Sequence, residues 1–353
     1  MNEAMDLRWI SIPFAAGVAA GSFLPWQSGI AALALTASLI LFLLEGKNGN
    51  PWLPAAFLMA GVFCATVSTA YSSPAVSGWE PAVRAEEALR RVIEEIPFRD
   101  GESNALLEAL LSGNRGKLER ETVIAFRDAG ASHILALSGL HLGVIHLVIR
   151  KTFIIFGNSI RAGLFRAVTI SALAAFYTVM TGASPSTVRA FFFIFLSEWS
   201  SVSPGRKGSP ERSLLLALTL QLALSPSSIK SLSFQMSYLA MCGIIFLLPR
   251  LSAWYPAHED GRPDPVRKIW EAAALSISCQ AFTSPLVWIR FHTFPKYFLL
   301  TNLLALPLTG MTMMLSVVVV ALSSAGICPD LLVAADGFLL EALVWLLTEI
   351  SLM

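Results

Sequence analysis

Residues 298–323 read FLLTNLLALPLTGMTMMLSVVVVALS and carry no charged side chain. A helix needs about 20 apolar residues to cross the hydrocarbon core of a bilayer. Inside that core every backbone N–H and C=O must be bonded within the protein, which leaves helices and closed barrels as the spanning structures. Apolar runs of similar character recur along all 353 residues. The chain is 55% hydrophobic and 14% charged, with a mean hydropathy of +0.65, whereas a soluble domain carries about 25% charged residues. The pattern excludes an ordinary soluble globule. It predicts an all-α fold, a polytopic helical membrane bundle whose core is the bundle itself. The net charge of +1 points to no class of partner.

Apolar length and the Gly/Pro or charged breaks place about eleven spans. They fall at 9–25, 29–45, 53–71, 132–155, 163–181, 186–201, 212–225, 231–249, 269–290, 298–323 and 330–352. The run from Trp9 to Trp26 follows a single basic residue, Arg8, and reads as a retained first helix rather than a signal peptide. The segments 186–201 and 212–225 are short enough to be half-helices. Three regions follow: N-terminal helices over 1–78, a helical connector over 79–131, and a membrane core over 132–353. In the connector, EPAVRAEEALRRVIEEI (80–96) sets Ala85, Leu89, Val92, Ile93 and Ile96 at helical spacing among charges, the pattern of an amphipathic helix. Two shorter helices follow over 104–130, with a turn at Ser112-Gly113-Asn114.

Basic residues in short loops stay cytoplasmic. Arg8, Lys47, Arg150, Lys151, Arg161, Arg166, Arg206, Lys207, Arg212, Arg250, Arg262, Arg267 and Lys268 fall on one side of the eleven spans. Arg189, Lys230, Arg290 and Lys296 fall on the other. The N-terminus is therefore expected inside, with the connector and the C-terminus extracytoplasmic.

Four polar strings interrupt the apolar sequence. SHILALSGLHLG (132–143) contains His133, Ser138, Gly139 and His141. Ser138 and His141 lie three apart on one helical face. Either the helix is tightly packed with its polar groups satisfied, or they line a polar passage or form a proton-handling or nucleophilic pair. TGASPSTVRAFFF (181–193) sets a Gly182/Pro185 interruption before an apolar run. Ser184 and Ser186 suit helix caps, and a helix N-terminus favours anions. Capping does not account for Arg189, because an arginine in lipid costs roughly 2.5–3.5 kcal/mol or more. Phosphate binding is the natural expectation. Phe191, Phe192 and Phe193 offer stacking surfaces or simple packing. SLSFQMSYLAMCG (231–243) sets Gln235 and Ser237 within an apolar span, where they suit interhelical hydrogen bonds. In FTSPLVWIRFHTFPKYFLLTNLLALPLTG (282–310), Pro285, Pro295 and Pro307 break or bend helices, either lining a cavity with freed backbone or repaired by neighbouring helices, and Asn302 sits in the middle of apolar sequence. The four cysteines are scattered singly, no metal-ligand spacing occurs, and no cofactor is expected.

These four strings, in this order and spacing and with the lead-in LLSGNRGKLERETVIAFRDAGASHIL, closely resemble the competence domain of the ComEC family over roughly residues 80–325. The resemblance implies an inner-membrane channel admitting single-stranded DNA during natural transformation. Its matching positions are His133, Ser138, Gly139, His141, Ser184, Pro185, Arg189, Phe234, Gln235, Ser237 and Asn302. Relatives often carry an OB-fold before this domain and a metallo-β-lactamase-like domain after it. Here Tyr71 to Glu80 is a short linker, and no HxHxDH string or Walker A string GxxxxGK[ST] occurs. The expectation is a channel core that is not an enzyme. A separate nuclease, DNA receptor and cytoplasmic motor would act in trans. The Gly17-to-Gly21 face suggests a possible homodimer. Two other readings are a transporter of a small anionic solute and an intramembrane hydrolase using Ser138 with His141 as base.

Overall fold

A computed structural model describes residues 6–24, 28–45, 52–70, 79–137, 139–153, 159–202, 209–255, 264–292 and 296–353. The described residues form helices joined by turns and loops, with no strand among them. In chain order the helices are α1 (Arg8–Phe23), α2 (Ser28–Glu45), α3 (Trp52–Ala70), α4 (Glu80–Glu95), α5 (Gly101–Ser112), α6 (Arg120–Asp128), α7 (Ser132–Leu135), α8 (Gly139–Thr152), α9 (Ile160–Met180), α10 (Pro185–Val202), α11 (Pro210–Leu224), α12 (Leu232–Phe246), α13 (Leu248–Ser252), α14 (Pro265–Phe291), α15 (Phe298–Ser324) and α16 (Asp330–Ser351). By length and composition α9, α14, α15 and α16 can each cross a membrane; α2, α3 and α12 contain shorter apolar helices.

Local sequence explains where many of these helices start. Ser159, Ser209 and Asp264 each accept a backbone N–H of the first turn, from Ala162, Arg212 and Val266 at 3.1, 3.2 and 2.9 Å. Pro210 and Pro265 follow two of these caps, where a missing N–H costs nothing. Asp100 caps α5 through the Ser103 N–H at 3.0 Å. Gly113 ends α5 at φ 80°, a left-handed conformation that glycine adopts without a Cβ penalty. α14 and α15 run through Pro285 and Pro307, so neither proline ends a helix. Pro295 lies outside the described residues.

The chain divides into two compact units. The first comprises Met1–Ala75 and Phe195–Gln235. In it α1 and α3 meet backbone to backbone: a Cβ on Gly17 would lie 1.9 Å from the Leu58 carbonyl oxygen, and one on Gly61 would lie 2.2 Å from that of Phe14. Gly21 faces Val62 and Ala65 in the same seam. The small-residue face of α1 thus packs against α3 of its own chain. Arg8 and Glu211 pair at 2.6 Å, which raises the pKa of the guanidinium and lowers that of the carboxyl.

The second unit comprises Val76–Ile194 and Met236–Met353. Its main core joins Ile93 of α4 and Ile96 just after it, Leu106, Leu107 and Leu110 of α5, Phe126 of α6, Met313 and Val319 of α15, and Leu340, Leu343 and Leu347 of α16. The charged connector is therefore built into the same core as the last two apolar helices. α5 is buried from Ala105 to Ser112, the signature of a helix enclosed on all sides. Asn104 completes the end of α4 by donating to the carbonyls of Ile93 and Ile96 at 2.6 and 3.0 Å. The buried Glu108 accepts from Asn114 at 2.6 Å and faces Lys117 at 3.1 Å. Lys117 also pairs with Glu94, raising its own pKa and lowering that of Glu94.

The expected continuous span over 132–155 is broken. α7 closes after one turn, Ala136 turns extended at φ −78° and ψ 126°, and α8 begins at Gly139. In an unbroken helix the Leu135 carbonyl would accept the N–H four residues on. Here it accepts Arg115 Nε at 3.0 Å instead. The other ten expected spans each coincide with a helix to within a few residues.

Candidate functional site

Three of the four polar strings meet at one guanidinium. Arg189 lies one turn into α10, behind a break in which Gly182 and Ala183 take φ values of 79° and 49°. A left-handed conformation at alanine costs about 1–2 kcal/mol, so the break is held in place by its surroundings. Ser184 Oγ accepts the Thr187 N–H at 3.3 Å and sits 3.1 Å from the Thr187 hydroxyl. Pro185 is the first residue of the helix. Ser184 and Pro185 thus build the N-terminus that carries Arg189.

The Arg189 side chain is half-buried. Its Nη1 donates to the Ser237 carbonyl of the third string at 3.2 Å. Its Nη2 would lie 3.2 Å from a Cβ placed on Gly139 of the first string. The absence of a side chain at Gly139 is what admits the guanidinium. Phe193 lies under the charge at 6.0 Å, within cation–π range. Tyr238 of α12 and Cys279 of α14 stand within electrostatic range. No carboxylate pairs with Arg189 among the described residues, and its Nε is buried without an acceptor there. A guanidinium presents five donors and stays charged. The arrangement is a positioned cation with unused donor capacity, suited to an anionic group.

The remaining sequence candidates scatter around this centre. His141 is fully buried in α8, while His133 is exposed on α7, so the helix break separates the two histidines. Ser138 lies outside the described residues. Phe234 is buried. Gln235 donates through Nε2 to the Ile229 carbonyl at 2.8 Å, a local bond that tucks the turn Pro226–Lys230 under the start of α12 within the first unit. Ser237 takes part through its backbone oxygen. Asn302 is half-buried on α15, with an Oδ1 that accepts no hydrogen bond among the described residues. Of the three phenylalanines, Phe191 packs into the α8–α9–α10 core, Phe192 is buried, and Phe193 alone meets the arginine.

Sequence reasoning missed the residues that hold the first string. Arg115, in the loop after α5, bonds the Leu135 carbonyl, and burial lowers the pKa of its guanidinium. A Cβ on Gly113 would lie 2.5 Å from Leu137 Cδ1, so this glycine serves both the turn and the string. The Tyr177 hydroxyl of α9 donates to the Leu111 carbonyl at 2.7 Å. The run GNRGK in the lead-in was the available signal; its two glycines flank the arginine that reaches the string.

The chain is 27% identical over 222 residues to the uncharacterized protein YcaI of Escherichia coli K12, covering 58% of this chain and 27% of that protein. It is 26% identical over 209 residues to ComE operon protein 3 of Bacillus subtilis 168, covering 58% of this chain and 25% of that protein. The aligned part of the chain thus spans about a quarter of the length of these curated relatives. No solved structure is significantly similar. The family described as "Competence protein" matches residues 110–353, which contain all four polar strings and the Arg189 centre, and the chain belongs to that family.

Proposed function

We propose that this chain forms the membrane core of a passage through which single-stranded DNA enters the cell during natural transformation. Membership of the competence family and the likeness to ComE operon protein 3 support a role in DNA uptake. The observation that carries the finer reading is Arg189. It is a cation without a carboxylate partner among the described residues, set at a strained helix start and joined to two other strings. A phosphodiester is an anion whose geometry a planar guanidinium can match through two parallel hydrogen bonds. The chain acts as a passage and not as an enzyme. The lipid bilayer surrounds it, and a separate nuclease, DNA receptor and cytoplasmic motor supply strand degradation, capture and force. Its N-terminus is cytoplasmic and its C-terminus extracytoplasmic.

The test uses a strain lacking the gene, complemented with wild type, Arg189→Ala or Arg189→Lys at equal membrane levels. Arg189→Ala should abolish uptake of labelled DNA. Arg189→Lys should restore only part of it, because lysine keeps the charge but loses the fork. The purified wild type should also lose single-stranded DNA more steeply with rising salt than Arg189→Ala does, by about one phosphate contact. Equal uptake and equal salt slopes in wild type and Arg189→Ala would reject the reading. Salt-sensitive uptake of small anions without DNA uptake would replace it with a solute transporter.

A further inference from the structure

We propose that Asp336 and Ser316 form a proton-binding site inside the α15–α16 helix pair. Asp336 is the seventh residue of an apolar 22-residue helix and is fully buried. Its Oδ1 accepts the hydroxyl of Ser316, itself fully buried, at 2.8 Å. Its Oδ2 is buried and has no hydrogen-bond partner among the described residues. Burying an ionised carboxylate without a countercharge is among the most expensive arrangements a protein can hold. Ionisable groups kept within membrane helices mark sites where charge is bound or moved.

Among the described residues, no ion pair to Asp336 comes from a neighbouring element. α15 has no ionisable side chain along its length. On α5, Glu108 is committed to Asn114 and Lys117, and Glu102 accepts the Glu119 N–H. On α6, Arg127 pairs with Asp128, while Arg120 and Glu121 are exposed. On α16 itself Asp330 and Glu341 open onto a groove beside Phe98 and Arg99, one turn or more from Asp336. The face of α15 toward the core offers hydroxyls only: Thr301, Thr309, Thr312 and Ser316 are all fully buried. Thr309 and Thr312 spend theirs on their own helix, donating to Ala305 and Leu308 at 2.7 and 2.9 Å. Thr301 donates to the Ala129 carbonyl at 2.7 Å, and Ser316 turns to Asp336 on the neighbouring helix.

The ligand that fits one spare, buried carboxylate oxygen without a hydrogen-bond partner among the described residues is a proton. On binding, an O–H bond forms at Oδ2, the carboxylate becomes a neutral acid, and the Ser316 hydroxyl continues to donate to Oδ1. On release the proton leaves from Oδ2 and the pair regains its charge. The site rests on the membrane-spanning reading of α15 and α16 and is independent of whether DNA is the cargo.

Infrared spectra of the purified chain in lipid vesicles, recorded from acid to alkaline pH, test the site. Wild type should show a protonated-carboxyl band that shifts to lower frequency in D2O and disappears reversibly on alkalinisation. Asp336→Asn keeps the shape and the Ser316 contact and should lose this band alone. Ser316→Ala removes the hydroxyl bond and should move the band to higher frequency, which keeps the assignment testable should Asp336→Asn fail to fold. A band unchanged in both variants, or one in wild type that neither exchanges nor titrates, would overturn the proposal. DNA uptake is not read in any arm, so failure of the channel reading leaves the outcome untouched.

Discussion

At the scale of single residues, the chain places its charges where other residues withhold something. Gly139 withholds a side chain, and Arg189 occupies the space. The contact is with the far end of a flexible side chain, so a methyl group needs a shift of only a few tenths of an ångström. Gly139→Ala should therefore keep DNA uptake close to wild type, since alanine also favours a helix by about 1 kcal/mol over glycine. Gly139→Leu should displace the guanidinium and lower uptake toward the level of Arg189→Ala at unchanged protein amount. Uptake assays beside immunoblots decide it; full activity in Gly139→Leu would uncouple the first string from the second. Gly139 and Arg189 were each legible in the sequence. Their contact was not, because helical spacing says which residues share a face of one helix and nothing about which residue of another helix meets that face.

At the scale of elements, α16 shows how one helix serves two environments. Val333, Asp336, Leu340, Leu343, Leu347 and Ile350 are buried against protein, while Leu331, Phe338, Trp345 and Leu352 point outward at seven-residue spacing. An outward stripe of large apolar groups suits lipid, and hydropathy alone cannot separate it from the inward one. Leu343→Ala should destabilise the purified chain by about 2–5 kcal/mol, the usual cost of emptying a core site. Trp345→Ala, on the opposite face, should change stability by about 0.5 kcal/mol or less. Thermal unfolding followed in one detergent would compare them; equal losses would mean that both faces are packed. The same core shows why α4–α6 read as a solvated connector. Their charges are conspicuous in sequence, whereas the burial of α5 depends on partners more than two hundred residues away.

At the scale of the whole molecule, the basic bias of the short loops predicts one orientation for the spans. Alkaline phosphatase fused after residue 100 or residue 353 should be active, and after residue 260 inactive. An inactive fusion after residue 100 would reverse the orientation. The sequence by itself determined that the chain is helical and apolar, where nearly every helix lies, and to which family it belongs. Those properties follow from composition, from the helical period and from local caps, all of which act over a few residues. Only the tertiary structure decided that the first string is broken at Ala136, that Arg115 takes the carbonyl freed there, that three strings converge on Arg189, and that Asp336 faces Ser316. Each of these depends on a hydrogen bond or a close approach between residues distant in sequence, and such partners become neighbours only when the helices pack.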